Sequence, residues 1–291
     1  MDDELRMKLA DLGSPEALAD CIISHYPGIG IPIRLKRIAG SVGIVDIVGQ
    51  TTSSFEGALV TTAAKGTGSI AYNSASRIER RRFTIAHEIG HFLIPWHDAS
   101  VQCATADMGL LKSQGTRKSK EAEANRFAAA LLTPATLFIR DIRRLGSPEM
   151  EHVLILASKY KVSKEMAARR YTDLCDHVCA IIFSHQGAVR YFQKSRTCPF
   201  LDIARGNPLP PGSLSARGRG RPGHLSEWTE SSPEIWFGAS RRISSKVLYE
   251  QFLEQQDGYR LTMLTIDDMP DEDEPDEDNE LEESWAIRFR R

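Results

Sequence analysis

The sequence has few cysteines, no long hydrophobic run and no basic, apolar leader. Its five cysteines are an odd number without the dense spacing of a disulfide framework, so we expect reduced thiols. No apolar run approaches the roughly 18 residues that a membrane-spanning helix needs. Residues 1–4 are acidic apart from the initial methionine, which does not fit a signal peptide. The sequence therefore predicts a cytoplasmic protein without a membrane partner.

Charge is unevenly distributed along the 291 residues. Residues 267–283 carry twelve carboxylates and no basic side chain, whereas the other 274 residues carry 37 basic and 27 acidic side chains, a net charge of +10. The body of the chain is therefore basic and its tail acidic. We interpret the acidic run either as a solvated segment that aids solubility or as a cover for a basic surface.

The pattern of hydrophobic residues, prolines and glycines predicts an α+β fold. Helices are predicted at residues 77–94 and 120–132, and a helical stretch with two breaks at residues 136–174. Strands are predicted at residues 43–48, 57–62, 69–72, 179–183, 188–193, 235–237 and 261–266, with a further helix near residues 244–255. Residues 98–120 and 208–223 are rich in polar or turn-forming residues and are predicted to be loops.

The clearest functional motif is His87-Glu88-Ile89-Gly90-His91, inside the predicted helix 77–94. Residues four positions apart lie on the same face of a helix, so His87 and His91 can bind one tetrahedral metal ion. Glu88 follows the first histidine, where its carboxylate can take a proton from a water on that ion. The flanking residues are apolar, and buried paired histidines without a ligand are costly. The motif therefore predicts a metal site, preferably for zinc.

Such a zinc site needs a third protein ligand, and the helix predicted at residues 120–132 supplies two candidates. Glu121 shares one helix face with Asn125 and with small alanines that would permit close helix packing. Glu123 points about 160° away from Asn125, at roughly 100° per residue. We therefore predict Glu121 as the ligand and keep Glu123 as the alternative.

These motifs resemble the ImmA/IrrE family of bacterial metallopeptidases. The resemblance covers about residues 32–174 and rests on three stretches, Arg82-Phe83-Thr84-Ile85-Ala86-His87-Glu88-Ile89-Gly90-His91-Phe92, Glu121-x-x-Ala124-Asn125-x-Phe127-Ala128 and Leu131-Leu132-x-Pro134. It implies a gluzincin-like enzyme with His87, His91 and Glu121 as metal ligands and Glu88 as catalytic base. Members of the family cleave helix-turn-helix repressors in mobile-element and DNA-damage regulons. Zinc is the expected metal, with manganese as the alternative.

The whole chain is thus predicted as an α+β protein in three parts. A zincin-like metallopeptidase domain is expected at residues 1–135, a helical helix-turn-helix-like segment at residues 136–176, and a C-terminal α+β domain at residues 177–291. The second part contains two helical stretches around Lys161-Val162-Ser163, and Lys164, Arg169 and Arg170 are its candidates for phosphate contact. Radiation-response members of the family carry a GAF-like sensor domain, which the resemblance suggests for the third part.

The predicted function is metal-dependent cleavage of a helix-turn-helix repressor in a stress or mobile-element response, with Glu88 activating the water that attacks the peptide bond. One alternative is a non-catalytic, metal-stabilised regulator that binds DNA or a repressor, and another is an antitoxin-like partner protein. Glu88 favours catalysis, because a structural site has no use for a general base. We expect any nucleic-acid binding to be weak.

Three further groups carry weaker signals. His97 lies six residues beyond His91, close enough to contact a ligand side chain, although such histidines are commonly structural. Cys103 lies between the two predicted metal helices and is a candidate ligand in a latent state. Cys175-Asp176-His177-Val178-Cys179 has donor side chains but lacks the second half of a zinc motif.

Overall fold

Two β-sheets and the helices packed against them make up the described chain. The structure is a computed structural model that describes residues 2–98, 100–103, 116–238 and 247–266. The acidic run at residues 267–283 and the side chain of Cys103 lie outside this description. Within the described part, no helix is both long and apolar enough to cross a membrane.

The first sheet has the strand order β1-β3-β2-β4. Its strands are β1 (Ile44–Gln50), β2 (Gly57–Thr61), β3 (Gly68–Asn73) and β4 (Ser100–Cys103). β1 is parallel to β3, whereas β2 is antiparallel to both β3 and β4. The first three strands confirm the prediction. β4 corrects the predicted loop at residues 98–120, because its four residues become a strand only by pairing with β2, a tertiary contact without a local signal.

Eight helices precede the second sheet in the described chain. They are α1 (Asp3–Ala10), α2 (Pro15–His25), α3 (Leu35–Val42), α4 (Ile78–Leu93), α5 (Thr116–Leu132), α6 (Ala135–Leu145), α7 (Met150–Tyr160) and α8 (Lys164–Leu174). α4 packs against β2 and β3 on one side and against α5 on the other. α4 confirms the predicted helix 77–94, and α5 begins four residues before the predicted start at residue 120.

The second sheet is antiparallel throughout, with the strand order β6-β5-β9-β8-β7. Its strands are β5 (Cys179–His185), β6 (Ala188–Lys194), β7 (Thr229–Ser231), β8 (Leu248–Glu254) and β9 (Tyr259–Ile266), and two short helices, α9 (Leu214–Arg217) and α10 (Glu234–Phe237), lie between β6 and β8. β5 and β6 form the predicted hairpin. Gln186 and Gly187 make its turn, both with positive φ angles, as tight hairpin turns require.

Three predictions for this C-terminal part are wrong. The predicted strand 235–237 is the helix α10, in which Phe237 N donates to Pro233 O, because Pro233 favours the first turn of a helix. The predicted helix near residues 244–255 contains the strand β8, whose inner residues are buried on both faces and therefore lack the alternation that marks an exposed strand. The predicted loop 208–223 contains α9 and packs tightly on β8.

The largest cluster of buried side chains extends from the N-terminal helices through α4 to α8 and onto one face of the second sheet. Ile181 and Phe183 of β5 belong to this cluster, whereas Ala180 and Ile182 belong to a smaller cluster on the opposite face. This alternation is the period of two that a strand imposes. The three-part division, the helix-turn-helix-like segment and the GAF-like domain remain predictions.

Candidate metal centre

The helix α4 carries the histidine motif in its last turns, where His87, Glu88 and His91 are at most 1% exposed. The end of this helix is stabilised by Lys65, whose Nζ donates to the carbonyl oxygens of His91 (2.8 Å) and Ile94 (2.7 Å). These bonds satisfy C-terminal carbonyls that have no partner within the helix. Burial lowers the pKa of Lys65 to about 8. The backbone that holds His91 is thus fixed from outside the helix.

Small residues bring α5 against the histidine motif. A Cβ atom placed on Gly90 would lie 3.0 Å from Cδ1 of Phe127 and 3.3 Å from the Cα atom of Ala124, so the two helices approach as closely as glycine permits. Phe127 and Ala124 are fully buried in this contact. Because the helices pack so closely, Glu121 in the first turns of α5 lies next to His87 and His91.

His87, His91 and Glu121 converge on one point. Each offers one donor atom, and the three atoms lie within 4.8 Å of one another. The Nε2 atoms of His87 and His91 are 3.1 Å apart, and the Glu121 carboxylate lies 3.1 Å from His87 Nε2 and 3.5 Å from His91 Nε2. Among the described residues, no other group of three histidine, cysteine, aspartate or glutamate side chains converges in this way. The structure thus brings together the three residues predicted as ligands.

Charge complementarity holds the Glu121 carboxylate in its ionised form. Burial alone would raise the pKa of Glu121, but hydrogen bonds with His87 and His91 outweigh that effect and lower the pKa well below its usual range. One carboxylate and two imidazoles in a buried pocket are ligands that a divalent cation binds. The arrangement can therefore bind a metal ion.

Glu123, the alternative ligand, lies elsewhere. Its Oε2 atom is 3.0 Å from Nε2 of His97 and accepts a 2.7 Å hydrogen bond from Nε1 of Trp96. His97 in turn has its Nδ1 atom 2.9 Å from Nδ1 of His91. His97 is 4% exposed, and burial lowers its pKa to about 4, so that the ring is neutral near pH 7. Glu123 thus contacts the predicted ligand His91 through His97 rather than directly.

Glu88 lies beside the first strand residue of β2. Its side chain is fully buried, and a Cβ atom on Gly57 would collide with its Oε1 atom and with Thr84 Cγ2. Gly57 also pairs with Cys103 of β4. The backbone of β2 therefore passes directly over the carboxylate that follows the first histidine, at a distance that only glycine allows.

Replacing Gly57 with alanine is expected to destabilise the protein by about 1–3 kcal/mol, the usual cost of overpacking, and to displace the Glu88 side chain. Denaturant unfolding of the purified variant measures the change. Gly40→Ala is the matched control, since a Cβ atom on Gly40 meets nothing within 4 Å and alanine is the better helix former. Equal stability of the two variants would contradict the close approach of β2 to Glu88.

Asn125, Lys65 and Gly57 are site residues that the sequence did not reveal. Asn125 Oδ1 lies 2.9 Å from Nδ1 of His87, and its position on the Glu121 face of α5 was the available signal. Gly57 lies in β2 and Lys65 in the turn between β2 and β3, both far from the motif in sequence. No local pattern marks such residues.

The weaker candidates have other surroundings. Cys175 and Cys179 are both buried where α8 meets β5, and within the part of the chain that the structure describes they belong to no cluster of three donor side chains. In α8, Arg170 Nε donates to the carbonyl oxygen of Thr133, and the Arg169 guanidinium lies over the Tyr191 ring at 5.1 Å. Two of the three basic side chains proposed to contact phosphate are therefore engaged within the protein.

Comparison with known proteins gives one domain match and a similar solved structure. Residues 42–172 match the family model of the IrrE N-terminal-like domain, Peptidase_M78. A solved structure described as a Mycobacterium tuberculosis transcriptional regulator is similar over 91% of this chain and 81% of that chain, with a TM-score of 0.58 and 13% sequence identity. At this identity the likeness shows the fold alone. No curated protein sequence matches the chain significantly.

Proposed function

Because residues 42–172 carry an IrrE N-terminal-like domain of a peptidase family, we propose that the protein is a zinc-dependent endopeptidase that cleaves a helix-turn-helix transcriptional repressor. The observation that carries the proposal is the convergence of His87, His91 and Glu121 beside the buried carboxylate of Glu88. A site that only stabilises the fold needs the three ligands but gains nothing from a second buried acid beside them. The second acid therefore supports catalysis.

The donor set fits zinc. Two imidazole nitrogens and one carboxylate are a common set of protein ligands in catalytic zinc sites, which leave a further position open. Carboxylate ligands also suit manganese, but imidazole nitrogens favour zinc. With the ion bound, Asn125 Oδ1 would accept the hydrogen bond of His87 Nδ1, and the Nε2 atom on the side of Glu121 and His91 would bind the ion. The three residues can thus hold the ion while the hydrogen bond between His87 Nδ1 and Asn125 stays in place.

Zinc, when bound at this site, supplies a Lewis acid that acidifies water and polarises a carbonyl group. Glu88 then serves as the general base that removes a proton from the attacking water and as the acid that returns it to the leaving amine. Its side chain is fully buried. Gly57 keeps the backbone of β2 close to that carboxylate, which limits the access of bulk water.

The proposed substrate is a protein, as a peptidase family implies. A helix-turn-helix repressor in a stress or mobile-element response is the substrate class that the ImmA/IrrE resemblance suggests. DNA binding through α8 is the rival function, and the engagement of Arg169 and Arg170 within the protein does not favour it. The neighbouring structure carries the description of a transcriptional regulator, which is compatible with either function.

Incubation of the zinc-loaded protein with purified helix-turn-helix repressors from the same organism tests the proposal. We expect one repressor to be cut at a single position, with a new N-terminus identified by mass spectrometry. A strong chelator should abolish cleavage, and re-addition of zinc should restore it. Intact repressors under all conditions, with stoichiometric zinc verified in the protein, would contradict the proposed activity.

A further inference from the structure

The His91 side chain contacts His97, a residue outside the His87–His91 motif. We propose that His97 and Glu123 form a positioning relay that holds the His91 imidazole in the tautomer needed to bind the metal through Nε2. The relay rests on the proposed metal site and adds two residues to it, neither of which is a ligand. It consists of the chain Glu123–His97–His91, in which every contact joins two side chains.

The geometry of the relay is continuous. Nδ1 of His91 lies 2.9 Å from Nδ1 of His97, and Nε2 of His97 lies 3.0 Å from Oε2 of Glu123. Trp96 Nε1 donates to the same Glu123 oxygen at 2.7 Å and fixes the far end of the chain. The His97 backbone N–H donates to the carbonyl oxygen of Ile94, which ties the His97 ring to the end of α4.

The chemistry of the three groups sets the direction of the hydrogen bonds when a metal ion is bound. A carboxylate only accepts, so His97 donates to Glu123 from Nε2. A His91 ring that binds the ion through Nε2 has its proton on Nδ1, and the Nδ1 atom of a neutral His97 ring accepts the hydrogen bond from it. The lone pair of His91 is then on Nε2, the atom that faces His87 and Glu121.

The other histidine has a simpler counterpart. His87 places its Nδ1 atom 2.9 Å from the amide oxygen of Asn125, a neutral acceptor. The acceptor for His91 is instead an imidazole whose opposite nitrogen is bound to an anion. A carboxylate at the end of such a chain increases the basicity of the ligand nitrogen, and residues of this kind are typically worth 10–100-fold in metal affinity. The two ligands are thus supported unequally, and His91 has the stronger support.

The relay also connects a buried ligand with the surface. The side chain of His97 is fully buried, whereas that of Glu123 is 18% exposed and that of Trp96 lies at the rim of the site. If His97 had only a structural role, its ring would merely have to fill space. A positioning role requires in addition that its Nδ1 atom accepts a hydrogen bond from His91. Variants that keep the ring shape but remove the nitrogen separate the two roles.

Zinc affinity of the full chain, measured by competition with a chromophoric chelator, tests the relay without any substrate. We expect His97→Phe to weaken zinc binding by about 10–100-fold, since it retains a ring but has no acceptor. Glu123→Ala should have an intermediate effect, and Glu123→Gln should recover part of the affinity because its amide oxygen still accepts from His97. Glu16→Gln is the matched control, because Glu16 is an exposed carboxylate of α2 that pairs with Arg126, a residue on the same helix as Glu123.

The second measurement is the ¹⁵N–¹H spectrum of the imidazoles in the unaltered zinc-loaded protein. His91 should show a protonated Nδ1 protected from exchange with water, and this signal should broaden in His97→Phe and persist in Glu123→Gln. A protonated Nε2 on His91, or unchanged zinc affinity in a folded His97→Phe variant, would overturn the relay. Absence of zinc binding in the unaltered protein would overturn the relay and the proposed function together. A relay confirmed by both measurements, with no repressor cut, would overturn only the proposed function.

Discussion

Glu88→Gln should lower the rate of peptide-bond cleavage by roughly 10²-fold or more while the protein keeps its zinc. Glutamine has the shape and polarity of glutamate, so the buried space beside Gly57 and Thr84 stays filled. It cannot accept a proton at neutral pH, and the base that activates the attacking water is lost. Glu88 is not one of the three converging donors, so metal binding should be almost unaffected.

Single-turnover cleavage of a repressor, with the zinc content of each preparation measured, gives the required comparison. Glu56→Gln is a suitable control, because it removes a carboxylate next to Gly57 that contacts Ser76 and Arg80 rather than the histidines. Full cleavage by the Glu88 variant would refute general-base catalysis by this residue. Loss of zinc together with activity would instead assign Glu88 to metal binding.

Glu121→Ala should remove most of the bound zinc, whereas Glu123→Ala should retain it when zinc is in excess. The Glu121 carboxylate lies within 3.5 Å of both histidine Nε2 atoms, and two imidazoles alone hold zinc poorly. Glu123 contacts His97 and Trp96 and affects the ion only through the relay.

Equilibrium dialysis against excess zinc, followed by atomic emission on the protein and the dialysate, measures the metal bound by both variants. Far-ultraviolet circular dichroism checks that each variant is folded, which matters because α5 is central to the core. Equal losses of zinc from the two variants would contradict the assignment of Glu121 as the ligand. A greater loss from Glu123→Ala would exchange the two roles.

The histidine-bearing helix could be predicted because its signals are local. Its motif has helical spacing, Pro95 follows it, and the alanines of α5 indicated the face that packs on it. The elements that were predicted wrongly depend on distant partners. β4 is a strand only because it pairs with the edge of β2. The sequence of β8 does not alternate between polar and apolar residues, because both faces of this strand are buried.

The same distinction applies to the site. Glu121 could be chosen over Glu123 from the angle between residues on one helix, since the helix itself fixes that angle. The role of Glu123 could not, because it depends on the position of His97 and Trp96 after the end of α4. Gly57 shows the limit most clearly, since its importance lies in a contact with Glu88 that exists only once the sheet has packed on the helix.

The shared core beneath the second sheet has a consequence for the stability of the whole chain. α7 and α8 bury their apolar sides together with Ile181, Phe183 and Met263 of the sheet, and Arg170 of α8 is bonded to the end of α5. We therefore expect the helices and the sheet to unfold as one cooperative unit. By linkage, a ligand that binds the folded C-terminal sheet would then also raise the free energy of unfolding of the helices that carry the predicted metal ligands.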